Sequence, residues 1–291
     1  QRNMIVTFRI ITVTVFIFMI IEAYMTSIYA GIFNPASYYA NTRGIEQLSE
    51  DDSGLFRNSL GFQGRFSFGI FDTHRLSSIF IEQVAMANFA LVLAAYLTTM
   101  WQSLNKFDRY FIFMTTVFIL LTNNSRTASA LCAFIFIGHF VFPLLPRKIN
   151  FLYPIIVLSL VFAVFYNPFY GSSLEGDDLA GRLGYTTKLL SELKLEDIIG
   201  ASSKAATEIW DSGYAYFIHA QSLLGLLVFW IFTAGITLAA NKPAIRFSHA
   251  NTLIVFVNLL IGMAVFSIKT AAPLWFLAGY IYTQNRLGKE R

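Results

Sequence analysis

Long runs of apolar residues, separated by shorter polar stretches, dominate the pattern along the chain. Most runs approach the roughly 20 residues that a helix needs to cross a bilayer. They are continuous rather than alternating apolar with polar positions, which excludes a transmembrane β-barrel. The pattern predicts an all-α, polytopic integral membrane helix bundle with about eight spans, at 10–31, 79–101, 110–122, 128–145, 151–166, 213–240, 251–267 and 272–284.

Polar segments between these runs carry further predictions. The runs 110–122 and 128–145 are short and flank the polar sequence NNSRT at 123–127, which predicts an interrupted helical hairpin. Two connections are long, at 32–78 and 167–212, and loops of this length usually carry binding or catalytic residues. In the second, leucines recur among charged residues over 180–195, which predicts an amphipathic helix on the membrane surface.

Composition agrees with a membrane protein. Of the 291 residues, 56% are hydrophobic and 13% are charged, against about a quarter charged in soluble domains. One Cys and four His provide neither a disulfide framework nor a spaced cluster of metal ligands, so no metal or cofactor is expected. Basic residues interleaved with aromatic ones do not form a patch, and nucleic acid is not an expected partner.

The distribution of charge predicts the orientation. If the N-terminus is cytoplasmic, eleven of the 21 Lys and Arg residues lie in cytoplasmic segments with only two acidic residues. Since cytoplasmic loops carry the excess of Lys and Arg, both termini of this segment are expected in the cytoplasm. The two long loops, 32–78 and 167–212, then face outward as periplasmic loops.

Five charges fall where a membrane helix should not carry them, and they are the first candidates for chemistry. Burying such a charge at the bilayer centre costs about 2.5–3.5 kcal/mol, so it normally faces a cavity or a partner. Snorkelling to the headgroups is an equal alternative for three of them, Glu22, Glu82 and Lys269. The other two are Arg126, within the interrupted hairpin, and Asp211.

Four stretches resemble the O-antigen polymerase and O-antigen ligase superfamily. TNNSRTA at 122–128 resembles its "T-x-S-R-[GT]-A" signature. GRL at 181–183 with IIGAS at 198–202 resembles its "GR…LLG-x-[GS]" pattern, and DSGY at 211–214 running into LLGLL at 223–227 resembles "[DH]-[NS]-x-[YF]…G-L-L-G". A looser match is RLSSIFIE at 75–82 to "R-x-x-G-x-F-x-E-P". Ser78 and Ser222 stand where these patterns carry glycine.

The resemblance implies a helical membrane bundle of the lipid-linked-sugar transferase type, here a single transmembrane domain over 1–291. Family members have more helices than the spans found here, and the chain begins at Gln1 rather than Met. We therefore expect that N-terminal helices of a longer protein are missing. The resemblance further implies localisation in the bacterial inner membrane. The partners that it implies are the lipid bilayer, a flippase and a chain-length regulator of the same pathway.

For mechanism, the resemblance implies transfer of an oligosaccharide from undecaprenyl diphosphate to a sugar hydroxyl, without metal. Negative charge develops on the leaving diphosphate, and arginine binds phosphate oxygens through paired donors. We expect Arg126 and Arg182 to hold the diphosphate, with Arg75 as a weaker third. The leading function is polymerisation of repeat units at the periplasmic face.

The acceptor hydroxyl needs a base. Asp211 is the first choice, because ligase-like members carry His there, and Glu82 is the second. Helix capping is the alternative role for Asp211. His219 on an apolar helix is better explained as a core residue than as a base. The candidates for sugar binding are Tyr214, Trp210 and His74. For Tyr214 and Trp210 the alternative is a place in the aromatic belt at the membrane interface.

Two other functions remain open. An O-antigen ligase would use the same donor with lipid A core as acceptor. A secondary transporter is suggested by the broken hairpin and the charges at membrane depth, although transporters place coupling residues near the midplane.

Overall fold

The computed structural model describes residues 1–43, 53–56, 59–60, 66–71, 73–166, 179–202, 209, 212–235 and 241–287. Within these ranges the chain is helical, and its only β feature is one isolated bridge between Leu60 and His74. The helices are α1 (Arg2–Tyr24), α2 (Thr26–Phe33), α3 (Pro35–Arg43), α4 (Gln83–Met100), α5 (Lys106–Asn123), α6 (Arg126–Val141), α7 (Tyr153–Phe165), α8 (Leu179–Ser191), α9 (Leu195–Ile199), α10 (Gly213–Gly235), α11 (Lys242–Asn258) and α12 (Ile268–Leu287).

Four helices of the described chain are long and apolar enough to cross a membrane: α1, α4 extended to Ser103, α6 extended to Leu144, and α10. The all-α class and the membrane character are thus supported by the structure. Each of the eight predicted spans overlaps at least one helix, but this length criterion supports only four of them as membrane spans.

The chain divides into two compact units, unit 1 (Gln1–Ala133) and unit 2 (Phe134–Arg291). In unit 1, α4 packs against α5, and α1 packs against α2, α5 and a short 3₁₀ turn at Ser78–Phe80. In the most apolar 18-residue stretch of each helix, 89% of the residues are buried in α4 and 28% in α1. The apolar residues of α4 therefore form the core of unit 1, and much of the apolar surface of α1 is left open.

Specific polar contacts fix α5 at its two ends. Asn105 caps its N-terminus by accepting a hydrogen bond from the Asp108 N–H at 2.8 Å. The Asp108 carboxylate is buried and pairs with the Arg9 guanidinium through two bonds of 2.8 and 2.7 Å. At the other end Asn124 ends α5 in the left-handed region, which Asn tolerates better than most residues. The interruption predicted at 123–127 is confirmed as the corner between α5 and α6.

In unit 2, α9 packs against α10, α7 against α8, and α11 against α7, α10 and α12. The helix predicted over 180–195 is confirmed as far as Ser191, where α8 ends, and α8 lies against α7 with Leu183 and two threonines buried. Its place on the membrane surface stays a prediction. The predicted span 251–267 is wrong as a single helix. Helix α11 begins earlier, where Asn241 caps it through the Ala244 N–H at 2.9 Å, and it ends at Asn258 in a turn over 259–262.

The first predicted span, 10–31, also differs from the structure. Helix α1 starts at Arg2 and ends at Tyr24, because the backbone of Met25 leaves helical geometry at φ −132° and ψ 50°. A second helix, α2, then continues the chain to Phe33.

Candidate functional site

The corner between α5 and α6 binds the segment that leads into α4. The Asn123 side chain donates to the carbonyls of Leu76 and Gln83, both at 2.9 Å. The Asn124 side chain accepts from one backbone N–H of the segment 66–71 at 2.9 Å and donates to a carbonyl there at 3.0 Å. These amides therefore fix the two stretches on either side of His74 and Arg75.

Two predicted arginines belong to this arrangement. Arg126 is the first residue of α6; it is exposed, and its guanidinium carbon lies 5.2 Å from the centre of the Phe66 ring. Arg75 is half-buried, and its N–H donates to the Ser59 carbonyl at 2.7 Å. Because the segment around Arg75 is bonded to the corner at which α6 begins, the backbones of Arg75 and Arg126 lie in one region of unit 1.

His74 lies inside unit 1 rather than on its surface. It is 6% exposed, its Nδ1 lies 3.1 Å from the Thr73 hydroxyl, and Phe71 packs edge-on against the ring. Burial lowers the pKa of His74 from its usual value of 6.5, against a smaller opposite effect from the Glu22 backbone. A neutral, enclosed ring presents no open face for a sugar in this conformation.

Glu82 stands at the N-terminus of α4. It occupies the capping position with extended backbone, and its carbonyl accepts the Met86 N–H at 3.1 Å. Its side chain is half-buried and does not cap the helix. The carboxylate is therefore not committed to a capping role.

Glu22 is fully buried and has partners within the protein, which decides against snorkelling. Its carboxylate accepts from the Ser77 N–H at 2.8 Å, the Ser78 N–H at 2.6 Å and the Ser77 hydroxyl at 3.0 Å. Tyr29 donates to the Ser78 carbonyl at 2.7 Å, and the Ser78 hydroxyl donates to the Val15 carbonyl at 2.8 Å. The RLSSIFIE segment is thereby attached to α1 and α2.

In unit 2 the turn at 259–262 joins two of the stretches that resemble the superfamily. Arg182 on α8 donates to the Ile261 carbonyl at 3.4 Å. The N–H groups of Gly213 and Tyr214 donate to the Leu259 carbonyl at 2.8 and 3.2 Å. The GRL stretch and the start of α10 are therefore attached to the same turn.

Gly213 is required at this contact. A Cβ atom on it would lie 2.3 Å from the Gly262 carbonyl oxygen and 2.9 Å from the Leu259 Cα, both backbone atoms. The preceding residues, Trp210 and Asp211, lie outside the described residues, so their predicted roles stay predictions.

Tyr214 has a packing role in the structure. Its side chain is 1% exposed, and its hydroxyl donates to the Phe256 carbonyl at 3.0 Å. No face of the ring is open to a sugar, since the side chain is buried in the interior of unit 2.

A buried acid–imidazole pair lies beside the IIGAS stretch. Asp197 Oδ1 lies 3.0 Å from His219 Nδ1, and the two side chains are 3% and 2% exposed. The Ser202 hydroxyl, from the IIGAS stretch, lies 3.1 Å from the same nitrogen. Sequence reasoning missed Asp197, although its place at the third position of α9 is where an acidic residue caps a helix.

Two serines adopt backbone conformations that favour glycine. Ser78 has φ 51° and Ser222 has φ 76° with ψ 166°, a region that is essentially restricted to glycine. Ser222 interrupts α10, and its hydroxyl accepts the Gly225 N–H at 3.2 Å, which caps the second half of the helix. These are the two positions at which the superfamily patterns carry glycine.

A groove of about 760 Å³ follows one face of α10 beside this interruption. Its lining is mostly aromatic and aliphatic, and it consists of Tyr216, Phe217, Ala220, Gln221, Ser222, Leu224, Gly225, Val228, Phe229, Phe232 and Phe266. The groove thus offers apolar surface along a candidate membrane helix.

No protein-family model, curated protein or solved structure matches the chain. Arg126 belongs to unit 1 and Arg182 to unit 2, and their convergence on one diphosphate stays a prediction.

Proposed function

We propose that the protein is a membrane glycosyltransferase of the bacterial inner membrane. It polymerises oligosaccharide repeat units that are linked to undecaprenyl diphosphate, at the periplasmic face. In the reaction a sugar hydroxyl of one unit attacks the anomeric carbon of another, and lipid diphosphate leaves. Arg126 and Arg182 hold the diphosphate, with Arg75 as a further cation.

One observation carries the proposal. In unit 2 the segments that match two of the superfamily's patterns come together around α10: Arg182 and the start of α10 share the 259–262 turn, and the IIGAS stretch contacts His219. A guanidinium and a hydrogen-bonded imidazole on neighbouring elements are suited to a reaction that releases a diphosphate and removes a proton.

Two further features support the same proposal. Ser78 and Ser222 occupy glycine-favouring conformations at the two positions where the patterns have glycine, which supports the alignment of those stretches. The apolar groove along α10 has the chemistry required by a hydrocarbon chain such as the polyprenyl tail.

The electrostatic role of the arginines follows from their chemistry. Guanidinium groups remain protonated and form paired hydrogen bonds with phosphate oxygens. Contacts that strengthen as charge develops on the leaving diphosphate lower the barrier for its departure. Replacing one such donor typically costs about a hundredfold or more in rate.

The test uses a deletion strain complemented with variants, and gel analysis of its surface polysaccharide and lipid-linked intermediates. We expect the deletion to remove all glycan above one repeat unit. Arg126→Ala and Arg182→Ala should reduce polymer at least tenfold at normal protein levels. Lys188→Ala is the matched control, because Lys188 is exposed on the same helix as Arg182, and it should leave the ladder unchanged.

Two results would overturn the assignment. An unchanged ladder with Arg126→Ala and Arg182→Ala at normal protein levels would exclude the arginine mechanism. Accumulation of lipid-linked polymer without its lipid A anchor in the deletion strain would identify a ligase instead.

A further inference from the structure

We propose that one end of unit 1 binds the headgroup of an anionic phospholipid. The site consists of basic side chains at the start of α1 and at the corner between α4 and α5, over residues 1–9 and 101–109. It uses none of the residues assigned to the transfer reaction, so it is independent of the proposed function. The placement, charge and exposure of these side chains carry the inference.

Two contacts place these segments at the same end of unit 1. Arg9 of α1 pairs with Asp108 in the first turn of α5. Further along both helices, the rings of Phe16 and Phe118 lie 6.0 Å apart between centroids. Helices α1 and α5 therefore run side by side in the same direction. The residues before Arg9 consequently lie at the end where α5 begins, which is the corner that joins it to α4.

Positive charge is in excess in these segments. They contain four basic residues, Arg2, Arg9, Lys106 and Arg109, and one acidic residue, Asp108. Asp108 is buried and already paired with Arg9, so within these segments three positive charges are not neutralised by an acid. Guanidinium groups bind phosphate oxygens through paired hydrogen bonds, and basic pockets beside membrane helices bind lipid headgroups. The charge is therefore complementary to an anionic headgroup.

The basic groups can be reached from the surface. Arg2 and Lys106 are exposed, and the Arg9 side chain stays 43% exposed despite its ion pair. Asp108 accepts only two of the N–H groups of Arg9, so further donors remain for a phosphate. Arg2 and Arg9 also line an open depression of about 520 Å³ on one face of α1. A headgroup can therefore contact these charges without a rearrangement of the helices.

The corner between α4 and α5 has the side chains of a membrane interface. The Arg109 guanidinium carbon lies 5.1 Å from the centre of the Trp101 ring, and Trp101 is exposed. Tryptophan is enriched at the headgroup level of membranes, and its ring attracts a cation placed over its face. The Arg109 charge is thereby held at the depth where lipid phosphates lie.

An exposed apolar stripe on α1 extends away from the basic end. Val6, Ile10, Val13 and Ile17 are each at least 38% exposed, and their spacing of three and four residues places them on one face. Val6 also lines the depression. A lipid with its phosphate at the arginines can place an acyl chain along this stripe, which a free phosphate ion cannot use. The stripe therefore favours a phospholipid over an inorganic anion.

The experiment measures lipid binding to the purified full chain in detergent by native mass spectrometry. Phosphatidylglycerol and phosphatidylcholine with identical acyl chains are compared, because only the first carries a net negative charge. We expect phosphatidylglycerol to bind roughly fivefold more tightly or better, since one basic residue near an anionic lipid contributes about that factor. Raising the salt concentration should reduce this preference. Equal binding of the two lipids, or a preference that salt does not change, overturns the proposal without any variant.

Arg2→Gln combined with Lys106→Gln removes two exposed charges and leaves the ion pair of Arg9 intact. We expect the affinity for phosphatidylglycerol to fall roughly tenfold or more. Binding of phosphatidylcholine and the unfolding temperature in detergent should stay unchanged. Wild-type affinity of this double variant for phosphatidylglycerol overturns the proposal.

Arg147→Gln combined with Lys148→Gln is the matched control. Both residues are exposed, and this variant removes the same charge from a turn of unit 2. It should keep the wild-type preference for phosphatidylglycerol. An equal loss of affinity in this control would show that net charge alone attracts the lipid, which also overturns the site.

Inorganic phosphate distinguishes a lipid site from a general anion site. We expect phosphate alone neither to displace phosphatidylglycerol nor to raise the unfolding temperature at constant ionic strength. Displacement by phosphate would assign the basic end to a soluble anion and overturn the lipid proposal. Glycan synthesis enters none of these measurements, so their outcome is separate from that of the proposed function.

Discussion

Two buried carboxylates, one in each unit, each join a candidate membrane helix to a neighbouring segment, but their partners differ. In unit 1 the Glu22 carboxylate, on α1, accepts from two backbone N–H groups and a hydroxyl of Ser77 and Ser78. In unit 2 the Asp197 carboxylate, on α9, contacts the ring of His219 on α10.

The difference lies in what each partner can do with a proton. Backbone amides and a serine hydroxyl do not change charge near neutral pH, so the Glu22 contacts serve to fix geometry. The Asp197 carboxylate instead contacts an imidazole ring, a group that can both donate and accept a hydrogen bond. The two carboxylates therefore differ in whether the partner is a fixed donor or a group that can serve as donor or acceptor.

The largest effect is expected for Glu22→Ala. The change leaves two N–H groups and a hydroxyl without their acceptor, and an unsatisfied buried donor costs about 1–3 kcal/mol. We expect a loss of about 3 kcal/mol or more, measured by thermal unfolding in detergent. Glu22→Gln retains one acceptor oxygen and should lose less, and Glu192→Ala, an exposed carboxylate, should change little. Equal stability of Glu22→Ala and wild type would contradict the role of Glu22.

Gly213→Ala is expected to destabilise unit 2 by about 1–3 kcal/mol, since the added methyl meets backbone atoms that cannot move aside easily. The variant should also lose activity, because the turn it displaces holds Arg182. Gly279→Ala on α12 is the matched control. Its Cβ meets nothing within 4 Å, so this change should leave stability equal or higher. Similar unfolding temperatures for the two variants would show that the close approach is unimportant.

Ser222→Gly should stabilise the protein by about 1 kcal/mol. Glycine relieves the strained φ of 76°, and it costs only a few tenths of a kcal/mol as a replacement helix cap. Ser222→Ala keeps the strain and loses the capping oxygen, and we expect it to destabilise. Comparing the two variants separates backbone strain from helix capping at this position. An unfolding temperature lower for Ser222→Gly than for Ser222→Ala would refute the strain.

The smallest effect concerns pH. Burial lowers the pKa of His74 below 6.5, so the folded state binds this proton less readily than the unfolded state. The contribution of His74 to stability is complete above pH 6.5 and is lost as the pH falls through the folded-state value. We expect unfolding temperatures to decline as the pH falls from 6.5 towards the folded-state pKa, and His74→Gln to reduce this decline. An unchanged slope in this variant would assign the decline to other groups.

The helical class followed from local information alone. Continuous apolar runs predict membrane helices because backbone groups in hydrocarbon must be satisfied within the segment. The corner at 123–127 was predictable for the same reason, since two short apolar runs flank polar residues there. The limits of α11 were not, because Arg246, Ser248 and His249 look like loop residues until the interior supplies partners such as the His139 carbonyl, 2.8 Å from Arg246 Nε.

The candidate site likewise contains residues that the sequence predicted and contacts that only the structure showed. Arg126, Arg182 and Arg75 were chosen from short patterns, and the structure attaches the segments carrying Arg75 and Arg182 to defined corners. Tyr214 was chosen as an aromatic residue near a helix end, but whether a ring is open or buried depends on neighbours distant in sequence. Asp197 was missed because its partner, His219, lies 22 positions further along the chain.

The sequence by itself determined the helical class, the polar corner between α5 and α6, and the residue types able to bind a diphosphate, because these depend on hydropathy, turn chemistry and fixed charge. Only the tertiary structure decided that Glu22 faces neutral donors while Asp197 faces an imidazole. Hydrogen-bond partners depend on which distant segments pack together, and that packing is not encoded in any local pattern.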